Sequence, residues 1–167
     1  GEALGTTWVV KSSEPYTEAV AQELRNIVDS ALAEVDKQMS TYREDSELMA
    51  LNRSASIDGL KISPELGLVL SESMEIGTKS GGAFDVTVGP LVRAWGFGPD
   101  NRRVPPPEGV LEEIKLKVGL DKIRLEGDQV SKAHPAVEID LSAIAKGYAV
   151  DLMVERLEAS GRQNLLA

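Results

Sequence analysis

The chain contains no cysteine and only one histidine, His134, among its 167 residues. The absence of cysteine excludes disulfides, thiolate metal sites, iron–sulfur clusters and a cysteine nucleophile. A single histidine excludes a zinc site built from several imidazoles. A metal ion held by this chain must therefore have oxygen ligands, which favours Mg²⁺ or Ca²⁺.

Positive charge is also scarce, since 18 Lys and Arg residues face 27 Asp and Glu residues and the net charge is −9. Binding to a nucleic-acid duplex needs clustered Lys and Arg, and the nearest approach to a cluster is Arg102–Arg103. We therefore expect no nucleic-acid partner. No apolar run approaches the roughly 18 residues of a membrane span. The first residues do not resemble a signal peptide, which indicates either a cytoplasmic protein or a trimmed mature form. Residues 164–167 (NLLA) look like the first half of a buried strand, so we expect a chain that has been cut short, with a frayed terminus as the alternative.

The chain is 42% apolar, which is enough for one sizeable core and predicts a single domain over residues 1–167. The order of elements is a strand, helices, further strands with a local hairpin, and a last helix. This order favours an α+β fold with a mixed sheet and flanking helices. Strands are predicted at 6–11, 59–62, 122–125, 129–132 and 138–141, and a short strand or extended turn at 83–88. Helices are predicted from 15–17 to about 40, and at 46–52, 63–80, 91–95, 108–118 and 142–160, with a loop at 96–107.

The first segment that could carry chemistry is residues 81–90 (GGAFDVTVGP). Paired glycines after a helix let the backbone turn sharply and let a ligand approach it closely. Asp85 follows shortly after this turn and could face such a ligand. A glycine helix stop followed by an ordinary strand explains the same residues, and this alternative stays open.

The second segment is residues 138–148 (EIDLSAIAKGY), where a predicted strand runs directly into a predicted helix. Asp140 and Ser142 would lie at the helix start, where free N–H groups and the helix dipole favour an anion. Lys146 would lie one turn inside the helix and could meet the same anion. A capped helix with a surface lysine is the alternative, and the two interpretations are evenly matched.

Four stretches, in this order along the chain, resemble the ApbE family of flavin transferases. They are residues 4–8 (LGTTW), residues 39–43 (MSTYR) followed by Ser46–Glu47, residues 81–90, and residues 140–148 (DLSAIAKGY). Each stretch alone is modest, but four in order are specific. The resemblance implies an ApbE-like, T-fold-related architecture.

The resemblance also implies a function. Members of this family bind FAD, use Mg²⁺ to split its pyrophosphate, release AMP and attach FMN through phosphate to a threonine of a target flavoprotein. Some members instead hydrolyse FAD to FMN and AMP. The cofactor-binding residues implied for this chain are Leu4, Tyr42, Ala83, Phe84, Asp85, Asp140 and Lys146. The backbone carbonyl of Ala143 is the implied magnesium ligand, while no catalytic residue is assigned.

Two departures from the family pattern matter. Leu4 stands where the family usually has methionine, which keeps an apolar contact but loses the sulfur. The family also continues well past Ala167, with a His, an Asp and a Thr that complete the magnesium site. We therefore expect this chain alone to be inactive, with an open sheet edge that a second chain could complete. The alternatives to a transferase are an FAD pyrophosphatase of the same fold and a non-catalytic flavin-binding fragment.

The cellular setting follows from the resemblance alone. It implies a periplasmic protein anchored to the inner membrane by a lipid-bearing cysteine upstream of this chain. The composition also fits a cytoplasmic protein.

Overall fold

The computed structural model describes residues 1–13, 15–97, 104–161 and 164–166. The α-helices within these ranges are α1 (Glu18–Met39), α2 (Glu47–Arg53), α3 (Pro64–Lys79), α4 (Gly89–Ala94), α5 (Glu108–Lys115) and α6 (Ala145–Ala159). Single 3-10 turns lie at Val86–Val88 and Leu120–Lys122. Among the described helices, none is sufficiently long and apolar to cross a membrane.

The strands are short and pair only in antiparallel fashion over the described ranges. They are β1 (Glu2–Ala3), β2 (Thr6–Thr7), β3 (Lys11–Ser12), β4 (Leu60–Lys61), β5 (Ile123–Glu126), β6 (Gln129–Lys132) and β7 (Leu165–Leu166). They form three small sheets with the orders β1–β2, β3–β7 and β4–β6–β5. The predicted α+β class is confirmed, and the predicted hairpin corresponds to β5 and β6.

The longest helix, α1, forms where its apolar residues recur at steps of three and four. Thr17 caps its N-terminus by accepting a hydrogen bond from the Val20 amide at 3.4 Å. The recurring residues line one face, and those that are buried are Leu24, Val28, Ala31, Leu32, Val35 and Met39. This face packs mainly against α6, whose buried residues are Ala145, Ala149, Met153 and Leu157. The alanines leave room for the two helices to approach closely.

The predicted starts of α2 and α3 are confirmed by their caps. The Ser46 hydroxyl accepts from the Met49 amide at 3.0 Å, and the Ser63 hydroxyl accepts from the Leu66 amide at 3.3 Å. Pro64 occupies the first position of α3, where its missing N–H costs no helical hydrogen bond. These caps mark the helix starts in the sequence, and Ser63 also donates to the Glu47 carboxylate of α2.

The predicted strand over residues 6–11 is interrupted. Thr6 and Thr7 pair with β1 across a tight turn in which both Leu4 (φ 51°) and Gly5 (φ 70°) are left-handed. β3 then pairs with β7 instead. The chain changes partner between β2 and β3, which no alternation of residue types could reveal.

The predicted strand at 138–141 and the predicted helix start at Ser142 are both wrong. Residues 137–141 join no sheet and form no helix, and residues 142–144 form a turn before α6 begins at Ala145. The amide of Asp140 donates to the Val86 carbonyl at 2.7 Å. This segment is held by single contacts to neighbouring elements rather than by a strand ladder.

Two other boundaries differ from the prediction. Residues 83–88 are a turn followed by the 3-10 turn at Val86–Val88, because Asp85 caps its own downstream backbone. α5 ends at Lys115, short of the predicted residue 118. The predicted loop at 96–107 is irregular where it is described, and its residues 98–103 lie outside the described residues.

Candidate functional site

Two adjoining cavities are lined by all eight residues that the family resemblance predicted for the site. The first cavity, of about 580 Å³, lies between the 81–85 turn, residues 138–143 and α4. The second, of about 450 Å³, lies between the β1–β2 turn, the end of α1 and the start of α6. Thr41, Tyr42 and Ser142 line both cavities, so these residues form the boundary between them.

The predicted residues divide unequally between the cavities. The first is lined by Tyr42, Ala83, Phe84, Asp85, Asp140 and Ala143. The second is lined by Leu4, Tyr42 and Lys146. Residues far apart in sequence therefore line two cavities that share three residues, and their roles in ligand binding stay predictions.

The glycine turn that opens the first cavity is built as its sequence predicts. Gly81 (φ 62°) and Gly82 (φ 84°) both adopt the left-handed conformation, which ends α3. The Gly82 amide donates to the Gly77 carbonyl at 2.9 Å, and the Phe84 amide donates to the Ser80 hydroxyl at 3.1 Å. A Cβ at either glycine would meet no atom within 4 Å, and Gly82, but not Gly81, lines the first cavity.

The Asp85 carboxylate is oriented by its neighbours. Its Oδ1 accepts from the Thr87 amide at 2.7 Å and from the Thr87 hydroxyl at 2.6 Å. The Thr87 hydroxyl oxygen in turn accepts from the Gly119 amide at 2.7 Å. Sequence reasoning assigned no part in the site to Thr87, because a buried threonine after an Asp has no distinctive signal.

The Asp140 side chain also makes a local turn. Its Oδ1 accepts from the Ser142 amide at 2.8 Å, so the carboxylate caps the turn before α6 rather than the helix itself. Lys146 is the second residue of α6 and is exposed, which leaves its ammonium free to meet a ligand in the second cavity. The predicted anion site thus consists of a turn and a lysine, with the helix start three residues later than expected.

Tyr42, which bounds both cavities, stands on a loop that an ion pair holds in place. The Ser40 hydroxyl accepts from the amides of Tyr42 and Arg43, both at 3.2 Å. The Arg43 guanidinium reaches Asp45 at 2.6 Å and Asp36 at 3.4 Å. Hydrogen bonding to Arg43 lowers the pKa of the Asp45 carboxyl, and the same contact raises the pKa of Arg43. The tyrosine ring is 68% exposed, so a planar ligand could stack on it.

The electrostatics of the first cavity are mainly negative. Asp85, Glu138 and Asp140 line it, and Glu138 forms an ion pair with Arg93 at its edge. A bound pyrophosphate would therefore need a cation beside these carboxylates. Carboxylate and carbonyl oxygens suit Mg²⁺, but no group of three or more acidic or histidine side chains able to hold a metal occurs in the described part of the chain. The described residues alone do not complete a magnesium site.

Comparison with known proteins identifies the family to which this chain belongs. The ApbE family matches residues 4–167 of the chain. FAD:protein FMN transferases from Vibrio cholerae and Haemophilus influenzae are 38% and 39% identical to it, each over 99% of this chain and 50% of their own length. The chain therefore belongs to the ApbE family, and the resemblance found in the four stretches is confirmed.

The fold agrees with solved structures of the family. The flavin transferase ApbE from Vibrio cholerae superposes with a TM-score of 0.93 at 38% identity, covering 99% of this chain and 54% of that one. The apo form of Pseudomonas stutzeri flavinyl transferase ApbE gives a TM-score of 0.89 at 32% identity, covering 99% and 53%. The chain spans about half the length of the curated relatives it matches.

Proposed function

We propose that this chain belongs to a FAD:protein FMN transferase and forms the part that holds FAD. The single observation that carries the proposal is that all eight residues predicted from the family resemblance line two adjoining cavities. An extended dinucleotide needs such a bipartite site, because its two halves are separated by a pyrophosphate. Tyr42 and Ser142, at the boundary, would lie near the middle of the ligand.

The proposed reaction moves FMN to a threonine hydroxyl of a target flavoprotein. The hydroxyl oxygen forms a bond to the FMN phosphorus, and the bond from that phosphorus to the bridging oxygen breaks. AMP leaves with the bridging oxygen, and the threonine proton passes to solvent. Asp85 and Asp140 would orient the nucleotide from the first cavity, and Lys146 would offset its negative charge from the second.

Magnesium dependence is part of the proposal. The ion would stabilise charge that develops on the pyrophosphate during transfer. The carbonyl of Ala143, a residue that lines the first cavity, is the candidate ligand from this chain. One neutral oxygen is too few for Mg²⁺, which prefers about six, so other ligands would come from outside the described residues.

The first test measures binding of FAD to the 167-residue chain, and quenching of flavin fluorescence reports the bound fraction. We expect saturable binding from which FMN and AMP each displace FAD, and each should need a higher concentration than FAD itself because each fills only part of the site. Absence of saturable FAD binding would contradict the proposal.

The second test follows the products formed by the whole protein that contains this chain, because the 167-residue chain alone is expected to be inactive, with the Vibrio cholerae flavin transferase as positive control. AMP formed together with an equal amount of FMN-labelled acceptor peptide indicates a transferase. AMP formed with free FMN indicates the pyrophosphatase alternative, which differs only in whether water replaces the threonine. Retained FAD with no AMP, with and without Mg²⁺, indicates a flavin-binding role.

We further propose, from the family resemblance, that the protein acts in the periplasm and is anchored to the inner membrane by a lipid. Fractionation of cells that express the encoded protein, followed by detergent extraction, tests this setting. Recovery in the cytoplasmic fraction would contradict it.

A further inference from the structure

The wall of the first cavity is fixed by the side chain of Asn52, near the end of α2. Its Nδ2 donates to the Ile139 carbonyl at 2.8 Å, and its Oδ1 accepts from the Ile139 amide at 2.8 Å. One side-chain amide thus binds both backbone groups of one residue, as a neighbouring strand would. Because residues 137–141 join no sheet in the described structure, this contact replaces the missing ladder.

The next residue is held from the opposite side. The Asp140 amide donates to the Val86 carbonyl at 2.7 Å. Asn52 and Val86 therefore clamp two consecutive residues, and the Asp140 side chain is left to face the cavity that Asn52, Ile139 and Asp140 all line. A shift of this backbone would move the Asp140 carboxylate directly.

Asn52 is held in place by a buried cation. Lys132, on β6, is only 2% exposed. Its ammonium nitrogen lies within hydrogen-bond distance of four backbone carbonyls, those of Leu51 (3.2 Å), Asn52 (3.2 Å), Ser54 (2.9 Å) and Pro135 (3.0 Å), so its three N–H donors are all taken up and one is shared. Three of these carbonyls lie at the C-terminal end of α2, where the helix dipole is negative, and the Leu51 carbonyl also accepts from the Ser54 amide at 3.2 Å.

Burying an ammonium is costly unless its donors are all satisfied. Burial lowers the pKa of Lys132, while the charge of Glu138 opposes this shift. No carboxylate makes an ion pair with Lys132 in the described part of the chain, so the backbone carbonyls are its hydrogen-bond partners. Lys132 therefore binds the C-terminal end of α2, including the backbone carbonyl of Asn52.

We propose that Lys132 and Asn52 form a positioning unit that fixes residues 139–140 and so places the Asp140 carboxylate for the flavin nucleotide. The unit joins a strand of the β4–β6–β5 sheet, the end of α2 and the cavity wall. Neither residue needs to touch the reacting atoms. The ligand assigned to the cavity rests on the proposed function, whereas the positioning itself does not.

The first experiment measures the backbone without any ligand. Asn52→Ala removes both contacts to Ile139 and should increase amide hydrogen exchange at Ile139 at least tenfold, with an increase at Asp140. Asn26→Ala, which removes an exposed asparagine of α1, is the matched control and should leave both rates unchanged. Unchanged exchange at Ile139 in folded Asn52→Ala would overturn the proposal.

The second experiment uses chemical rescue of the lysine. Lys132→Ala should also increase exchange at Ile139, and propylammonium, which matches the atoms removed, should restore protection. Tetramethylammonium at equal concentration has no N–H donor and should not. Lys61→Ala, at an exposed lysine of β4, is the control. Equal effects of the two cations, or no loss of protection in Lys132→Met, would overturn the role given to the ammonium.

The third measurement links the unit to the ligand. Asn52→Ala should weaken FAD binding about tenfold, in keeping with the loss of two hydrogen bonds. Its melting temperature is measured in parallel, and Asn52→Asp, which sets a carboxylate oxygen against the Ile139 carbonyl in place of the Nδ2 donor, should also lose affinity. If the unsubstituted chain binds no FAD, the proposed function fails, while the exchange rates still decide whether the positioning unit exists. Normal FAD affinity in Asn52→Ala with altered exchange would overturn the link to the ligand.

Discussion

The hydroxyl of Thr87 donates a hydrogen bond to the Asp85 carboxylate at 2.6 Å, and Thr87 is fully buried. The same hydroxyl oxygen accepts from the Gly119 amide at 2.7 Å. Thr87 thus links a carboxylate at the cavity to the turn that precedes β5. Asp85 is held in one orientation by a residue that no ligand can reach.

Replacing Thr87 by valine should lower both stability and affinity. The shape is retained, but the Gly119 amide loses its acceptor, which should cost about 1–3 kcal/mol of unfolding free energy. FAD affinity should fall because the Asp85 carboxylate loses one of its two donors. Chemical denaturation and FAD titration measure the two effects. Thr87→Ser keeps the hydroxyl and should retain most of both, so equal losses in the two variants would contradict the hydrogen-bond argument.

Asp85→Asn should impair flavin binding or transfer while the fold is retained. The amide oxygen can still accept from Thr87, so the turn should persist, whereas the negative charge at the cavity is lost. Circular dichroism and FAD titration compare this variant with Glu44→Gln, which changes an exposed acid outside both cavities. Full function of Asp85→Asn would reduce residues 81–90 to a helix stop and a turn.

Lys146→Ala should weaken FAD binding by about 1–2 kcal/mol, as expected for loss of a hydrogen bond to a charged group. The unfolding free energy should change by less than about 0.5 kcal/mol, because the side chain is exposed. Lys115→Ala, at an exposed lysine of α5, is the matched control. Equal FAD affinity in the two variants would remove Lys146 from the site.

Two glycines of α3 should respond in opposite ways to alanine. A Cβ at Gly77 would lie 2.1 Å from Leu120 Cδ1 and 2.8 Å from the Phe84 carbonyl oxygen. Gly77→Ala should therefore destabilise the protein by about 1–3 kcal/mol through overpacking and shift Phe84 at the cavity. At Gly67 the nearest atom, Ile62 Cδ1, is 3.6 Å away, so Gly67→Ala should stabilise by about 0.5–1 kcal/mol. Thermal unfolding of both variants gives the two signs directly.

The ion pair beside Tyr42 makes its loop sensitive to acid. Hydrogen bonding to Arg43 holds the pKa of Asp45 below its ordinary value of 3.8. A carboxylate whose pKa is lowered by folding contributes stability above its unfolded pKa, and this contribution is lost as the pH falls through the folded pKa. An NMR titration of the Asp45 carboxyl should give a pKa below 3.8 that returns toward this value in Arg43→Gln. Arg124→Gln, at an exposed pair on β5, should leave the Asp45 titration unchanged.

The parts of the fold that could be predicted are those set by neighbours in sequence. Thr17, Ser46 and Ser63 cap helices as their positions predict, and the glycines at 81–82 end α3. A cap depends on a side chain reaching an amide two or three residues away, so the sequence contains all the relevant atoms. The hairpin of β5 and β6 follows for the same reason.

The segment at residues 138–144 shows where such reasoning fails. Its apolar alternation favours a strand, yet it takes its hydrogen bonds from Asn52 and Val86, which lie 87 and 54 positions away from Ile139 and Asp140 respectively. The helix after it begins at Ala145, because the Asp140 carboxylate accepts a hydrogen bond from the Ser142 amide and so forms a turn before the helix. The same long-range pairing explains why Asn52, Thr87 and Lys132 carried no recognisable motif.

The sequence by itself determined the α+β class, the helix caps, the exclusion of cysteine and multi-histidine chemistry, and, through four ordered stretches, membership of the ApbE family. Only the tertiary structure decided that the predicted residues share two adjoining cavities with Tyr42 between them. It also decided that a buried lysine and an asparagine hold the cavity wall. The physical reason is that caps and turns are satisfied within a few residues, whereas a cavity and a buried ammonium are satisfied by backbone groups that only folding brings together.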